Sequence, residues 1–196
     1  MTKAITTLLL VAVVAALSAA DWDSAPEAAR LVVAESRAAA ISGKKPPAPP
    51  APDIPVGQAA PDFALQNVSG RSGRTTLKEF RGRVVLLDFW STLCGPCQAA
   101  TPTMAMLHEK YGKQGLVVIG IDVQEPFAKV KEYVREHQVP YRVLLDADAR
   151  VSEKYGIAAI PAFFIIDAQG AIAWRRTALR AEEMEEQIQK ALHVAP

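Results

Sequence analysis

The run Val84-Val85-Leu86-Leu87-Asp88-Phe89-Trp90 constrains this chain more than any other stretch. It holds one charged side chain among branched and aromatic residues. It reads as a strand from Arg83 to Trp90 that is buried on both faces. A strand with no solvated face belongs in the middle of a sheet, with something packed on each side. Immediately behind it stand Cys94 and Cys97, the only 2 cysteines among 196 residues. A helical pattern follows from Gly95 to Tyr111.

Short apolar runs and amphipathic stretches alternate through the rest of the chain. Strands are expected over Asp62 to Leu65, Leu116 to Ile121 and Tyr141 to Leu145. Leu77 to Phe80 reads as a helical turn, Phe127 to His137 as a helix with Val130, Tyr133 and Val134 on one side, and Ala149 to Tyr155 as a short helix. Ala162 to Asp167 and Ala171 to Trp174 form a hairpin turned at Ala168-Gln169-Gly170. Arg180 to Leu192 closes the chain as a charged helix. Strand-helix-strand units ending in a hairpin and a helix give a mixed α/β sheet with helices on both faces. No internal repeat is visible.

That domain is expected over residues 56–196. Ahead of it, Lys3 precedes an apolar run from Ala4 to Ala16, followed by Leu17-Ser18-Ala19-Ala20. A charged start, a short apolar core and small residues at the exit form a secretory leader pattern. Residues 1–20 are therefore a signal peptide cleaved ahead of Asp21, or an N-terminal anchor through residues 4–20. The run is at the short end of the ~17–25 residues that a membrane span needs. No cysteine stands near residue 20, which argues against a lipid-modified terminus. Residues 21–43 read as an alanine-rich spacer helix opened by Ser24-Ala25-Pro26-Glu27 and stopped at Gly43. Residues 44–55 are a linker, with 6 prolines between Pro46 and Pro55. Such a segment favours extended polyproline II and acts as a semi-rigid spacer.

Composition closes off other classes. The chain carries 22 lysines and arginines against 21 aspartates and glutamates, which gives no electrostatic case for nucleic acid. Two cysteines are too few for a disulfide-stapled scaffold.

Three readings compete for the cysteine pair. A structural zinc needs four ligands, and His108, His137 and His193 lie on distant helical positions. A purely structural bridge would close a loop too short to restrict the unfolded chain much. A reactive dithiol accounts for the surroundings. Cys94 falls where a strand gives way to a helix, whose free N–H groups and partial positive charge favour a thiolate. Gly95 lets the chain turn, and Pro96 sits in the first helical turn, where its missing N–H does no harm. Cys97 lies in the same turn, close enough to form a disulfide with Cys94. The exposed first thiolate attacks a client disulfide and the shielded second thiol resolves the intermediate.

Asp88-Phe89-Trp90 followed by Cys94-Gly95-Pro96-Cys97 resembles the thioredoxin superfamily. The longer pattern is similar to its exported TlpA/ResA-like thiol-disulfide oxidoreductases, on three further segments. These are Ala60-Pro61-Asp62-Phe63-Ala64-Leu65, then Leu77-Lys78-Glu79-Phe80-Arg81-Gly82, and finally Tyr155 through Ile160-Pro161 to Asp167. The resemblance covers about Val56 to Leu192 and implies a thioredoxin-like fold. It implies Asp88 as a buried proton acceptor for Cys97, a residue that otherwise reads as a strand-end aspartate bonded to backbone. It implies a cis Ile160–Pro161 bond beside the cysteines, where the bland reading is a trans proline opening a strand. It also places Trp90, Gly95, Pro96, Ile160 and Pro161 on the surface that meets a client. One departure stands out: Leu93 occupies the position where the family commonly has tryptophan, which alters the contact surface beside Cys94. Pro102 inside the helix is read as a structural kink. Asp122 and Glu125 fall in a loop ahead of a helix, with at most a minor relay role.

The resemblance implies disulfide reduction through Cys94 and Cys97, with no organic cofactor and no metal. It implies client proteins with disulfides, an upstream membrane electron donor, and a place in maturing c-type cytochromes or copper sites. A monomer in the periplasm, or tethered outside the inner membrane, is expected. The competing readings are a peroxiredoxin-like thiol peroxidase and a non-catalytic copper carrier or adaptor.

Overall fold

The computed structural model of the protein describes residues 54–70 and 72–194. The expected leader, the alanine-rich helix and all of the proline linker before Ile54 lie outside the described residues. Among the described residues no helix is long and apolar enough to cross a membrane.

Seven strands form one sheet: β1 (Ala64–Asn67), β2 (Arg74–Thr76), β3 (Val84–Trp90), β4 (Leu116–Val123), β5 (Arg142–Asp146), β6 (Ala162–Ile166) and β7 (Ile172–Arg176). Their order is β2-β1-β5-β4-β3-β6-β7. Among the described residues the α-helices are α1 (Gly95–Tyr111), α2 (Phe127–Glu136), α3 (Arg150–Lys154) and α4 (Ala181–Val194), with 3-10 turns at Leu77–Phe80 and Gly112–Gln114. β3, β4 and β5 run parallel through the crossovers α1 and α2. The flanking strands β1, β6 and β7 pair antiparallel with their neighbours. The fold is thus the thioredoxin-like mixed sheet with cover on both faces.

β3 is buried along its whole length. Its side chains alternate between two cores, as a strand's period of two demands. Leu86 and Trp90 join a layer with Met104 and Leu107 of α1, Val130 of α2 and Ile188 of α4. Val85, Leu87 and Phe89 point the other way, into a layer with Phe63, Phe80, Val151 and Tyr155. Asp88, in phase with Leu86 and Trp90, therefore faces the layer that holds α1.

Several boundaries differ from the sequence reading. β1 starts at Ala64 rather than Asp62; the Phe63 N–H donates to the Asp62 carboxylate instead of to a neighbouring strand. β2 was not expected at all. It is a three-residue edge strand whose Thr75 is 1% exposed, too short for a periodicity to register. Helix α1 runs on through Pro102, whose ring costs one backbone hydrogen bond to Gln98.

Candidate active site

Strand β3 delivers the site. It ends at Trp90, three residues turn the chain, and Cys94 becomes the N-cap of α1 with extended backbone (φ −90°, ψ 102°). Its sulfur accepts a hydrogen bond from the backbone N–H of Cys97 at 3.2 Å. A side chain that accepts from the first turn satisfies one orphan donor of the helix and sits on the positive end of its dipole. Cys94 and Cys97 are joined as a disulfide, with Cα atoms 5.2 Å apart. Cys94 is half-buried, whereas Cys97 has no exposed surface. Gly95 and Pro96 between them are exposed.

Ile160 approaches from the start of β6. Its carbonyl oxygen lies 3.9 Å from the sulfur of Cys94, and the Ile160–Pro161 peptide is cis. Ile160 is partly exposed and Pro161 is buried. Trp90 is 2% exposed, its ring tilted against Tyr133 at 5.2 Å. Of the residues expected to meet a client, Gly95, Pro96 and Ile160 have accessible surface, while Trp90 and Pro161 support the site from within. Leu93, next to Cys94, is 77% exposed.

Asp88 is 1% exposed, and its Oδ1 has no hydrogen-bond partner. Burial pushes its carboxyl up to about 8, so it is largely neutral at pH 7. It stands opposite Gly120 on β4 and Phe163 on β6. A Cβ at Gly120 would lie 3.0 Å from Trp90 Nε1 and 3.3 Å from Tyr141 Cε2. The missing side chain is what lets the indole and the phenol pack beside Asp88. The Tyr141 hydroxyl is itself raised, first by burial and then by the charge of Asp88.

A second polar group lies under the loop before Cys94. Glu125, 7% exposed, accepts from the N–H of Thr92 and, at 2.7 Å, from its hydroxyl. Lys129 pairs with the same carboxylate at 2.7 Å. Gln98 Nε2 donates to the Thr92 carbonyl at 2.6 Å. Asp122 is fully buried, in register with Trp90 on β3. Thr92 and Gln98 carried no signal in the sequence. They matter here because the fold brings a loop, a helix and a strand end together. Among the described residues no group of three or more His, Cys, Asp or Glu side chains converges to hold a metal ion.

The site is therefore a bonded cysteine pair with one half-exposed sulfur at a helix start, one buried sulfur in the first turn, and a largely neutral buried acid on the face beneath. Known proteins carry the same arrangement of elements. Residues 56–175 match the profile of the AhpC/TSA family. The thiol-disulfide oxidoreductase ResA of Bacillus thuringiensis subsp. konkukian is 31% identical over 137 residues, 70% of this chain and 76% of that protein. The ResA of Geobacillus thermodenitrificans is 34% identical over 119 residues, 61% of this chain and 67% of its own length. Among solved structures, a candidate thiol:disulfide interchange protein DsbE from Chlorobium tepidum superposes with a TM-score of 0.65 at 32% identity, over 71% of this chain and 99% of that one. The chain belongs to the AhpC/TSA family and, within the thioredoxin superfamily, is a ResA-like thiol-disulfide oxidoreductase.

Proposed function

We propose that this oxidoreductase works in the reducing direction on exported client proteins. The observation that carries the reading is the asymmetry of the dithiol: Cys94 half-buried at the helix N-cap, Cys97 with no exposed surface. In the reduced state the Cys94 thiolate attacks one sulfur of a client disulfide. A mixed disulfide forms and the client's other sulfur leaves as a thiolate. Cys97 then attacks Cys94, gives up its proton and releases the client's remaining sulfur; the client leaves with both sulfurs reduced, and any second proton comes from solvent. The enzyme keeps the disulfide seen here. Asp88 suits the proton transfer, because an acid held near 8 exchanges protons well close to neutral pH. The backbone of Ile160, 3.9 Å from Cys94, borders the path by which an extended client segment reaches the sulfur.

Two electrons must then return to the Cys94–Cys97 disulfide from an external dithiol. The apolar N-terminal run of residues 4–16 motivates placing the enzyme outside the cytoplasm, with a membrane protein as that donor. The domain acts as a monomer in this reading.

The test is the reduction potential of the Cys94–Cys97 pair, with insulin reduction and peroxide consumption assayed on the same preparation. The expected potential lies towards thioredoxin at about −270 mV rather than the strong oxidant at about −120 mV. Insulin is reduced and peroxide is not. A potential near the oxidising end reverses the direction, and rapid peroxide turnover replaces the reading with a peroxidase.

A further inference from the structure

The three-residue loop from β3 to α1 is tied down at every step. Ser91 and Thr92 are buried, and Leu93 at the tip is exposed. The Ser91 carbonyl accepts the Cys94 N–H at 3.2 Å, and the Ser91 hydroxyl oxygen accepts the Leu93 N–H at 3.1 Å. Thr92 is held from two sides. Glu125, between β4 and α2, accepts the Thr92 N–H on Oε2 and the Thr92 hydroxyl on Oε1, the latter at 2.7 Å. Gln98, in the first turns of α1, donates to the Thr92 carbonyl at 2.6 Å.

Satisfying a buried amide takes one acceptor, and a neutral oxygen would serve. Here a buried carboxylate spends both of its oxygens on one residue, and Lys129 of α2 offsets its charge at 2.7 Å. Burying a charge is costly even when it is paired. What the carboxylate adds is a second point of attachment. One hydrogen bond is a pivot, whereas two from the same fork fix position and orientation together.

The fixed residue stands directly before two groups that face a client. Leu93 follows Thr92, and Cys94 follows Leu93. A client that presses on the Leu93 side chain pushes on this loop. With Thr92 fixed, the loop does not yield, and the sulfur stays at the N-terminus of α1. With Thr92 loose, a client can still cover Leu93 while the sulfur drifts off line. Thiolate attack needs the sulfur aligned with the client's S–S bond, and small misplacements cost rate.

We propose that Glu125 is a positioning residue whose two-point grip on Thr92, backed by Gln98, makes Leu93 and Cys94 one rigid unit, so that client contact at Leu93 leads to aligned attack by Cys94. This rests on the reading of Cys94 as the sulfur that exchanges with clients. The role depends on shape and not on charge. A threonine hydroxyl both donates and accepts. Glu125→Gln therefore keeps both links, its amide oxygen taking the Thr92 N–H and its NH2 donating to the hydroxyl oxygen. Glu125→Ala keeps neither.

The test measures exchange by the full chain in both directions: the reduced protein acting on insulin, and the oxidised protein acting on a reduced dithiol peptide. Alkylation of the reduced protein by iodoacetamide reports the thiolate itself. Glu125→Ala is expected to lower kcat for exchange at least about tenfold, with KM and alkylation each within about threefold of wild type. Glu125→Gln should recover most of that loss. Thr92→Val, which cuts only the hydroxyl link, should lower kcat about threefold, and it carries the test if denaturation shows that Glu125→Ala does not fold. Leu93→Ala should slow insulin reduction about threefold in the wild type and hardly at all in Glu125→Ala, because a loose loop no longer couples the two residues. Glu125→Gln as slow as Glu125→Ala places the effect on charge and overturns the grip. Alkylation that falls in step with exchange overturns it too, as do independent losses from Leu93→Ala and Glu125→Ala. If the wild type leaves insulin intact but oxidises the peptide, the reducing direction is lost and the peptide series decides the grip. Exchange in neither direction overturns both.

Discussion

The backbone N–H of Cys97 points at the sulfur of Cys94 from 3.2 Å, and the two side chains share one helical turn with opposite exposure. A donor aimed at a sulfur stabilises the thiolate more than the thiol, and the helix dipole adds ~0.3–1 kcal/mol for an exposed charge. On this ground Cys94 is proposed as the nucleophile. Cys97→Ser is expected to attack clients and stall, leaving mixed disulfides on a non-reducing gel. Cys94→Ser should trap none. Trapping by Cys94→Ser instead would reverse the two roles.

Asp88 should matter in the second half of the reaction. Replacing it with asparagine keeps the shape and removes the titratable group that can exchange a proton with Cys97. Asp88→Asn is expected to slow release of the mixed disulfide by at least about tenfold, within the range that general acid–base catalysis spans. The first attack by Cys94 should change far less. Rapid-quench trapping of the intermediate separates the two steps.

The same carboxyl gives stability a defined pH dependence. Asp88 has an ordinary value of 3.8 when unfolded and about 8 when folded. Between these values the folded state binds the extra proton, so stability falls as pH rises through that window. Asp122 contributes in the same direction. Each carboxyl costs up to about 1.4 kcal/mol per pH unit there. Denaturant midpoints of the oxidised protein should drop from pH 5 to pH 8. Asp88→Asn should flatten the slope and raise stability at pH 8. A pH-independent midpoint would contradict a neutral buried Asp88.

Leu93 offers a large apolar side chain, 77% exposed, beside Cys94. A client that covers it gains part of the ~1.5–3 kcal/mol that full burial of a leucine provides. Leu93→Glu is expected to lower kcat/KM for unfolded protein clients about fivefold to tenfold, which corresponds to about 1–1.4 kcal/mol. Alkylation of Cys94 by a small reagent should be altered much less. Equal losses in both assays would place the effect on the thiol and not on client contact.

Gly120 should prove intolerant of even one methyl group. Its position between Trp90 and Tyr141 leaves 3.0 Å and 3.3 Å to a Cβ, tighter than ordinary contact. Both rings are buried and have little room to retreat. Gly120→Ala is expected to destabilise the fold by about 1–3 kcal/mol, the usual cost of overpacking. Chemical denaturation of the oxidised protein measures it.

The sequence by itself determined the central strand, the helix over Gly95–Tyr111, the pairing of Cys94 with Cys97 and the order of all the major elements. Those features rest on local patterns: an unbroken apolar run, a helical period, and two cysteines inside one turn. Tertiary structure decided what depends on contacts between distant segments. β2 exists only because β1 offers it an edge, and three residues carry no period of their own. Trp90, expected at the client surface, is buried because Gly120 on the next strand makes room for it. Thr92, Gln98 and Glu125 read singly as a loop residue, a helix surface residue and a helix start. They form one network because parallel β3 and β4 end side by side, so the loop leaving one strand meets the turn leaving the other. No spacing along the chain encodes that meeting, which depends on the register of β3 against β4.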